Sequence, residues 1–86
     1  MDDQILKALL ASFASQFPPL AFEDERYHFR AERAGRNGGI LTLEKSNEKI
    51  AFTVHDLVTA EILGSRMYRL SEPNLTTKIQ EWTNGL

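Results

Sequence analysis

Hydrophobic and polar residues alternate with a period of two in three stretches near the middle of the chain. In residues 26–32, Tyr27, Phe29 and Ala31 fall on one side and charged or polar residues fall on the other. This alternation is typical of a β-strand that buries one face. Residues 40–45 and 50–55 repeat the pattern, with Leu41, Leu43, Ile50, Phe52 and Val54 among the apolar positions. The sequence therefore predicts three short strands.

The segments between these strands are rich in turn-forming residues. Asn37 and Gly38 lie in the first connection, and residues 46–48 form a short polar second connection. Asparagine and glycine tolerate the positive φ angles that hairpin turns require. We therefore expect an antiparallel meander, with one face buried and the other exposed.

Helical spacing of apolar residues flanks the predicted sheet. Residues 3–16 carry an apolar stripe, and Pro18 and Pro19 follow it. Residues 56–63 are largely apolar and precede Gly64, which predicts a short second helix. A third helix is predicted to open at residues 71–73 and to run to about residue 84. Residues 66–70 fit either a helical turn or a short strand, so their structure stays open.

The predicted order is one helix, a three-stranded antiparallel meander and two C-terminal helices (α-β-β-β-α-α). Helices that cover one face of an antiparallel sheet form a two-layer α+β sandwich. The chain has 86 residues and shows no repeat or linker. We therefore predict a single small α+β domain over residues 1–86.

Composition narrows the class of protein. Hydrophobic residues make up 42% of the chain and charged residues 26%, and there is no cysteine. The lack of cysteine excludes disulfides and thiolate metal sites. The apolar run at residues 5–10 is interrupted by Lys7 and is too short to cross a bilayer, and the N-terminus is acidic, unlike a signal peptide. We expect a cytoplasmic protein that does not bind membranes.

Charge is distributed unevenly along the chain. The formal net charge is −2, but residues 1–25 sum to −4 and residues 26–36 sum to +3. A general nucleic-acid binder is usually much more basic than this. The concentration of arginine in residues 26–36 is therefore a local feature, and it is the best candidate for a binding site.

Six residues form the predicted partner-binding site. Alternation puts three of them on the open face of the sheet, and three lie beside or within the following turn: Arg26, His28, Arg30, Arg33, Arg36 and Asn37. Guanidinium groups presented in this way can form paired hydrogen bonds with carboxylates or phosphates. The alternative is a solvated strand whose arginines pair with Glu32 and Glu44, each pair contributing at most about 1 kcal/mol.

No catalytic or metal-binding pattern is recognisable. His28 and His55 both fall on the predicted open face, but at opposite ends of it, which disfavours a shared metal site or catalytic pair. The acidic run at residues 23–25 is interpreted as a solvated turn, because the spacing of a calcium loop is missing. No serine has a nucleophile-elbow context, and no glycine-rich loop opens a helix after a strand. We therefore predict a protein that is not an enzyme and has no metal or cofactor.

Two stretches resemble nucleic-acid-binding motifs. Ala60, Gly64 and Leu70 have a spacing that resembles a helix-turn-helix, although Ser65 occupies an expected apolar position and Pro73 would shorten the recognition helix. The order of helix, three strands and helix resembles the double-stranded-RNA-binding domain, which recognises phosphates across grooves. That family has a lysine-rich start to its last helix, where this chain has only Lys78.

Two hypotheses for function follow. The first is a small non-enzymatic module that docks on a partner protein, as an inhibitor or adaptor of the kind made by phages and other mobile elements, through the charged sheet face and the hairpin loop. The alternative is a nucleic-acid-binding regulator that uses the strand and turn at residues 26–36. A homodimer formed through an unpaired sheet edge is a further expectation.

Overall fold

The protein folds as a five-stranded antiparallel sheet with one helix at each end of the chain. The computed structural model describes residues 2–23 and 25–86, with side chains from residue 4 onward. Each strand pairs with the next along the chain. The elements are α1 (Asp2–Gln16), β1 (Pro19–Glu23), β2 (Arg26–Ala31), β3 (Gly39–Ser46), β4 (Lys49–Asp56), β5 (Ile62–Arg69) and α2 (Leu75–Gly85).

The α+β class is confirmed, but the predicted three-stranded meander with two C-terminal helices is wrong. The sheet gains a strand at each edge, and a single helix follows it. The first helix and the three central strands lie close to their predicted positions. The last helix begins at Leu75 rather than near residue 71, directly after Asn74, which has a φ angle of 57°.

The predicted helix over residues 56–63 is a tight turn that leads into β5. The Asp56 carboxylate accepts the main-chain N–H groups of Val58 and Thr59 at 2.8 and 3.0 Å. Ala60 has a φ angle of 63°, which lies outside the right-handed helical region. A carboxylate that caps a helix and one that closes an Asx turn use the same hydrogen bonds. The predicted second helix is therefore wrong, because Asp56 closes a turn that leads into a strand.

β5 includes most of residues 66–70, whose structure the sequence left open. Residues 66–69 belong to this strand, and Gly64 pairs opposite Val54 in β4. The helix-turn-helix resemblance of residues 56–70 is therefore wrong, because the segment contains a turn and a strand. At the other edge, residues 19–23 form β1, a strand that the sequence pattern did not predict.

Both helices pack on one face of the sheet and enclose the core. The Phe13 ring from α1 lies 5.9 Å from the Phe29 ring and 5.6 Å from the Phe52 ring, measured between ring centroids. The apolar side chains predicted to point inward are buried, except Tyr27, which is half-buried. The core consists of Leu6, Phe13, Phe17, Phe29, Ala31, Leu41, Leu43, Ile50, Phe52, Val54, Leu70, Leu75 and Ile79.

The two helices lie side by side and run in the same direction. The Ser12 hydroxyl is 2.7 Å from the Thr76 hydroxyl, and the Gln80 amide donates to the Gln16 side-chain oxygen at 3.4 Å. Trp82 of α2 lies against Gly64 of β5, where an added Cβ would be 3.1 Å from the indole ring. The helices thus cover one face of the sheet, and no described element covers the other.

Candidate functional site

The open face is the face of the sheet opposite α1 and α2, and strand register orders its side chains into rows. Arg26 pairs with Glu44, Glu44 with Ala51, and Ala51 with Met67. Two parallel rows on one side of this row also span β2 to β5. They comprise His28, Thr42, Thr53 and Ser65, and then Arg30, Ile40, His55 and Ile62. A shorter row on its other side comprises Ser46, Lys49 and Arg69.

Three of the six predicted site residues lie on the open face, as alternation predicted. Arg26 donates from Nε to Glu44 Oε2 at 3.0 Å, and Arg30 Nε lies 3.7 Å from Glu32 Oε1. His28 Nδ1 is 2.9 Å from the Thr42 hydroxyl. The two ion pairs are exposed, so each contributes at most about 1 kcal/mol to stability. Even so, the guanidinium groups of Arg26 and Arg30 each lie next to a carboxylate of the protein.

Register corrects the expected separation of the two histidines. His28 lies level with Thr53 of β4, and His55 follows two residues further along that strand. The two imidazoles therefore occupy adjacent rows, two strands apart, rather than opposite ends of the sheet. Within the described residues, no group of three histidine, aspartate or glutamate side chains is placed to hold a metal ion. Asp24, in the acidic run at residues 23–25, lies outside the described part.

Arg33 is buried and holds three parts of the chain together. Its Nη1 donates to Asp56 Oδ2 at 3.0 Å and to the Asn37 main-chain oxygen at 3.1 Å. Its Nε and Nη2 donate to the Leu86 main-chain oxygen at 3.2 and 2.8 Å. The guanidinium thus joins the β2–β3 loop, the turn after β4 and the residue that follows α2. Such a side chain stabilises the fold and is not displayed to a partner.

Asp56 is the acidic centre of this cluster. Hydrogen bonds from the Thr59 and Val58 N–H groups lower the pKa of its carboxyl, and Arg33 lowers it further, while burial acts in the opposite direction. The carboxylate is therefore the stable form at neutral pH. Its ion pair with Arg33 joins residues 23 positions apart, so no local pattern in the sequence predicted it.

The last two predicted site residues are exposed but are tied to the same cluster. Arg36 Nη1 donates to the Leu86 main-chain oxygen at 2.7 Å, and the Asn37 main-chain oxygen accepts from Arg33. Each of the four arginines in residues 26–36 thus has a carboxylate or carbonyl neighbour within the fold. The local charge of +3 in the sequence does not form a cluster of unengaged cations.

The part of the open face nearest β5 carries exposed apolar side chains. Ile62 is 65% exposed and Met67 is 57% exposed. Leu57 and Val58, in the turn between β4 and β5, are also exposed. The helix predicted over residues 56–63 did not indicate this exposed area. The signal that could have found it was the alternation of Arg66, Tyr68 and Leu70, which already suited a strand.

The remaining surface offers shallow grooves. A groove of about 400 Å³ lies between the ends of α1 and α2 and includes Phe17, Gln80 and Thr83 in its lining. A second, of about 660 Å³, lies beside the β3–β4 turn and Met67. Among the described helices, none is long and apolar enough to cross a membrane.

Comparisons with protein-family models, with curated proteins and with solved structures each found no match.

Proposed function

We propose that the protein is a small, non-enzymatic docking module that binds a partner protein through the open face and acts as an inhibitor or adaptor. One observation carries the proposal: Ile62 and Met67 are more than half exposed on a sheet face that no described element covers. Large apolar side chains that stay exposed on an uncovered surface are a feature of protein interaction sites.

The charged side of the open face supports the same function. Arg26 and Glu44 form an exposed pair in the same row as Met67, so the open face carries charged groups as well as apolar ones. Protein interfaces commonly combine the two, with apolar side chains supplying binding energy and charged side chains supplying specificity.

Nucleic-acid binding by residues 26–36 has weaker support from the geometry. Arg33 is buried, and the other three arginines already contact oxygen atoms of the protein. The rings among the fifteen residues in the rows of the open face are the imidazoles of His28 and His55, and there is no Phe, Tyr or Trp on which a base could stack. We therefore propose protein docking alone.

Site-specific photocrosslinking tests the proposal. A benzophenone amino acid is placed at Thr53, in the middle of the three rows that span β2 to β5, and in a matched control at Ala11, which is exposed on α1. Each protein is irradiated in extract of the source cells. We expect a discrete crosslinked species from position 53 that excess unlabelled protein competes away, and we expect none from position 11.

A second variant makes the test specific to the apolar area. Adding Met67→Asp to the Thr53-labelled protein should abolish the crosslink, because it places a charge where the partner's apolar surface packs. Identical crosslinks from both label positions, or none from either, would contradict docking through the open face.

A further inference from the structure

The sheet has two edges, and they differ in how well they are protected from pairing. In the described part of the chain, β1 pairs only with β2 and β5 pairs only with β4. β1 has five residues, begins with Pro19 and has an irregular register between Pro19 and Ala21. Short length, proline and bulges all discourage further pairing. β5 has eight residues and no proline, and its register with β4 is regular from Gly64 to Arg69.

Hydrogen bonds at the two ends of the β4–β5 ladder show which main-chain groups of β5 face outward. Asp56 N–H donates to the Glu61 oxygen at one end, and Leu70 N–H donates to the Glu48 oxygen at the other, each at 2.8 Å. Hydrogen-bonded and non-hydrogen-bonded pairs alternate along an antiparallel ladder. The residues that bond to β4 are therefore Gly64, Arg66 and Tyr68, and those that face the free edge are Ser65, Met67 and Arg69.

The side chains along this edge are cationic and partly apolar. The Arg66 guanidinium lies 5.0 Å from the centroid of the Trp82 ring and donates from Nη1 to the Tyr68 hydroxyl at 3.2 Å. None of the four described ion pairs includes Arg66 or Arg69. Residues 62–69 contain no carboxylate. β5 thus differs from residues 26–36, where each arginine contacts a carboxylate or carbonyl oxygen.

We propose that the free edge of β5 binds an extended acidic segment of the partner protein as a sixth, added strand. The main-chain groups of Ser65, Met67 and Arg69 supply the new ladder. Side chains of the added strand alternate between the two faces of the sheet. Those on the open face lie beside Met67 and are apolar, and those on the helix-bearing face lie beside Arg66 and carry carboxylates. This inference rests on the proposed docking function and specifies its partner.

Charge favours an acidic partner segment over a second copy of β5. Pairing two copies of β5 would place four arginines on two neighbouring strands without any carboxylate from either strand. Like charges on neighbouring strands are destabilising, whereas opposite charges stabilise the pair. An alternating acidic and apolar segment supplies the missing charges on one face and an apolar contact for Met67 on the other.

The test uses synthetic peptides and the full chain. The probe is an acetylated, amidated octapeptide that alternates valine and glutamate, and its control alternates valine and lysine. Binding is followed by NMR, through amide chemical shifts and amide hydrogen exchange. We expect the valine–glutamate peptide to slow amide hydrogen exchange at Ser65, Met67 and Arg69 by about tenfold or more. We expect the valine–lysine peptide to have no effect.

Matched variants separate the main-chain contribution from the side-chain contribution. Met67→Pro removes an edge N–H and should weaken peptide binding about tenfold, whereas Met67→Leu should leave it unchanged. Ser65→Pro is a second edge variant, in case Met67→Pro fails to fold. Arg66→Gln should weaken binding about fivefold and should reduce its dependence on salt.

Several outcomes would overturn the proposal. They are the absence of peptide binding at millimolar concentration, equal binding by Met67→Pro and Met67→Leu, and self-association of the protein through β5 in place of peptide binding. None of these would remove a crosslink from Thr53 on the open face. Loss of that crosslink would instead contradict the docking function itself, so the two failures are distinguishable.

Discussion

Proline substitution at two adjacent residues of β5 tests which main-chain groups face the free edge. The ladder places the N–H of Arg66 toward Phe52 of β4 and the N–H of Met67 toward the edge. Proline has no N–H, so the same substitution removes a ladder hydrogen bond at one position and none at the next. Arg66→Pro should therefore destabilise the protein much more than Met67→Pro.

The expected difference follows from the surroundings of the two residues. Arg66→Pro leaves the carbonyl of the fully buried Phe52 without its donor, which costs about 1–3 kcal/mol. It also removes the contact of the guanidinium with Trp82, worth about 0.5–1 kcal/mol at an exposed site. The total is about 1.5–4 kcal/mol, or a decrease in Tm of roughly 6–32 °C for a domain of this size. Met67 is mostly exposed, and its replacement should cost less than about 1 kcal/mol.

Urea denaturation measures both free energies of unfolding, with far-UV circular dichroism as the probe because Arg66 lies on the Trp82 ring. Arg66→Ala is the control that removes the side-chain contact but keeps the N–H. The free energy of unfolding of Arg66→Ala should fall only by about the value of the cation–π contact. If Met67→Pro were as destabilising as Arg66→Pro, the ladder assignment would be wrong, and the proposed added strand would lose its main-chain basis.

Three further predictions concern the core, the acidic centre and the contact between β5 and α2. Phe13→Ala should cost about 3–5 kcal/mol in urea denaturation because it removes a fully buried ring, and Phe13→Leu should cost clearly less. The lowered pKa of Asp56 stabilises the fold above the ordinary aspartate pKa of about 3.9, and this stability is lost as pH falls through the lower folded-state pKa. The difference in urea midpoint between the wild type and Asp56→Asn should therefore be present at pH 7 and shrink at pH 3; a constant difference would refute this. Gly64→Ala should displace Trp82 and shift its fluorescence, and it should lower the free energy of unfolding by about 1–3 kcal/mol. Gly85→Ala should have neither effect, because an added Cβ at Gly85 meets open space.

The central strands could be predicted because their pattern is local. Residues 26–32, 40–45 and 50–55 alternate with a period of two, and short polar turns separate them. The two edge strands, by contrast, form because a neighbouring strand is available to pair with them. Residues 62–69 form a strand because β4 offers an unpaired edge beside them, and the sequence does not display that edge. The apolar residues of 57–63 therefore suggested a helix, although Leu57, Val58 and Ile62 are exposed.

The predicted site residues also divide into those placed by a local pattern and those placed by contacts with distant parts of the chain. Alternation correctly placed Arg26, His28 and Arg30 on the open face. Arg33 follows the strand in a polar loop, where an arginine is normally solvated. Its burial depends on Asp56 and Leu86, which are 23 and 53 residues away in the sequence. Contacts across such separations leave no periodic signal, so the internal role of Arg33 could not be read from the chain.

Internal pairing changes which cations are available to a partner. An arginine that already contacts a carboxylate, such as Arg26 with Glu44, gains little from a second carboxylate, because its first contact is shared or lost. Arg66 instead contacts a ring and a hydroxyl, and it forms no ion pair with the described residues. A carboxylate of the partner would therefore be its first ionic contact. Trp82 also holds the guanidinium in place, which lowers the entropy lost on binding. The most basic stretch of the sequence is therefore not the most favourable place for an acidic partner, and the geometry favours the edge of β5.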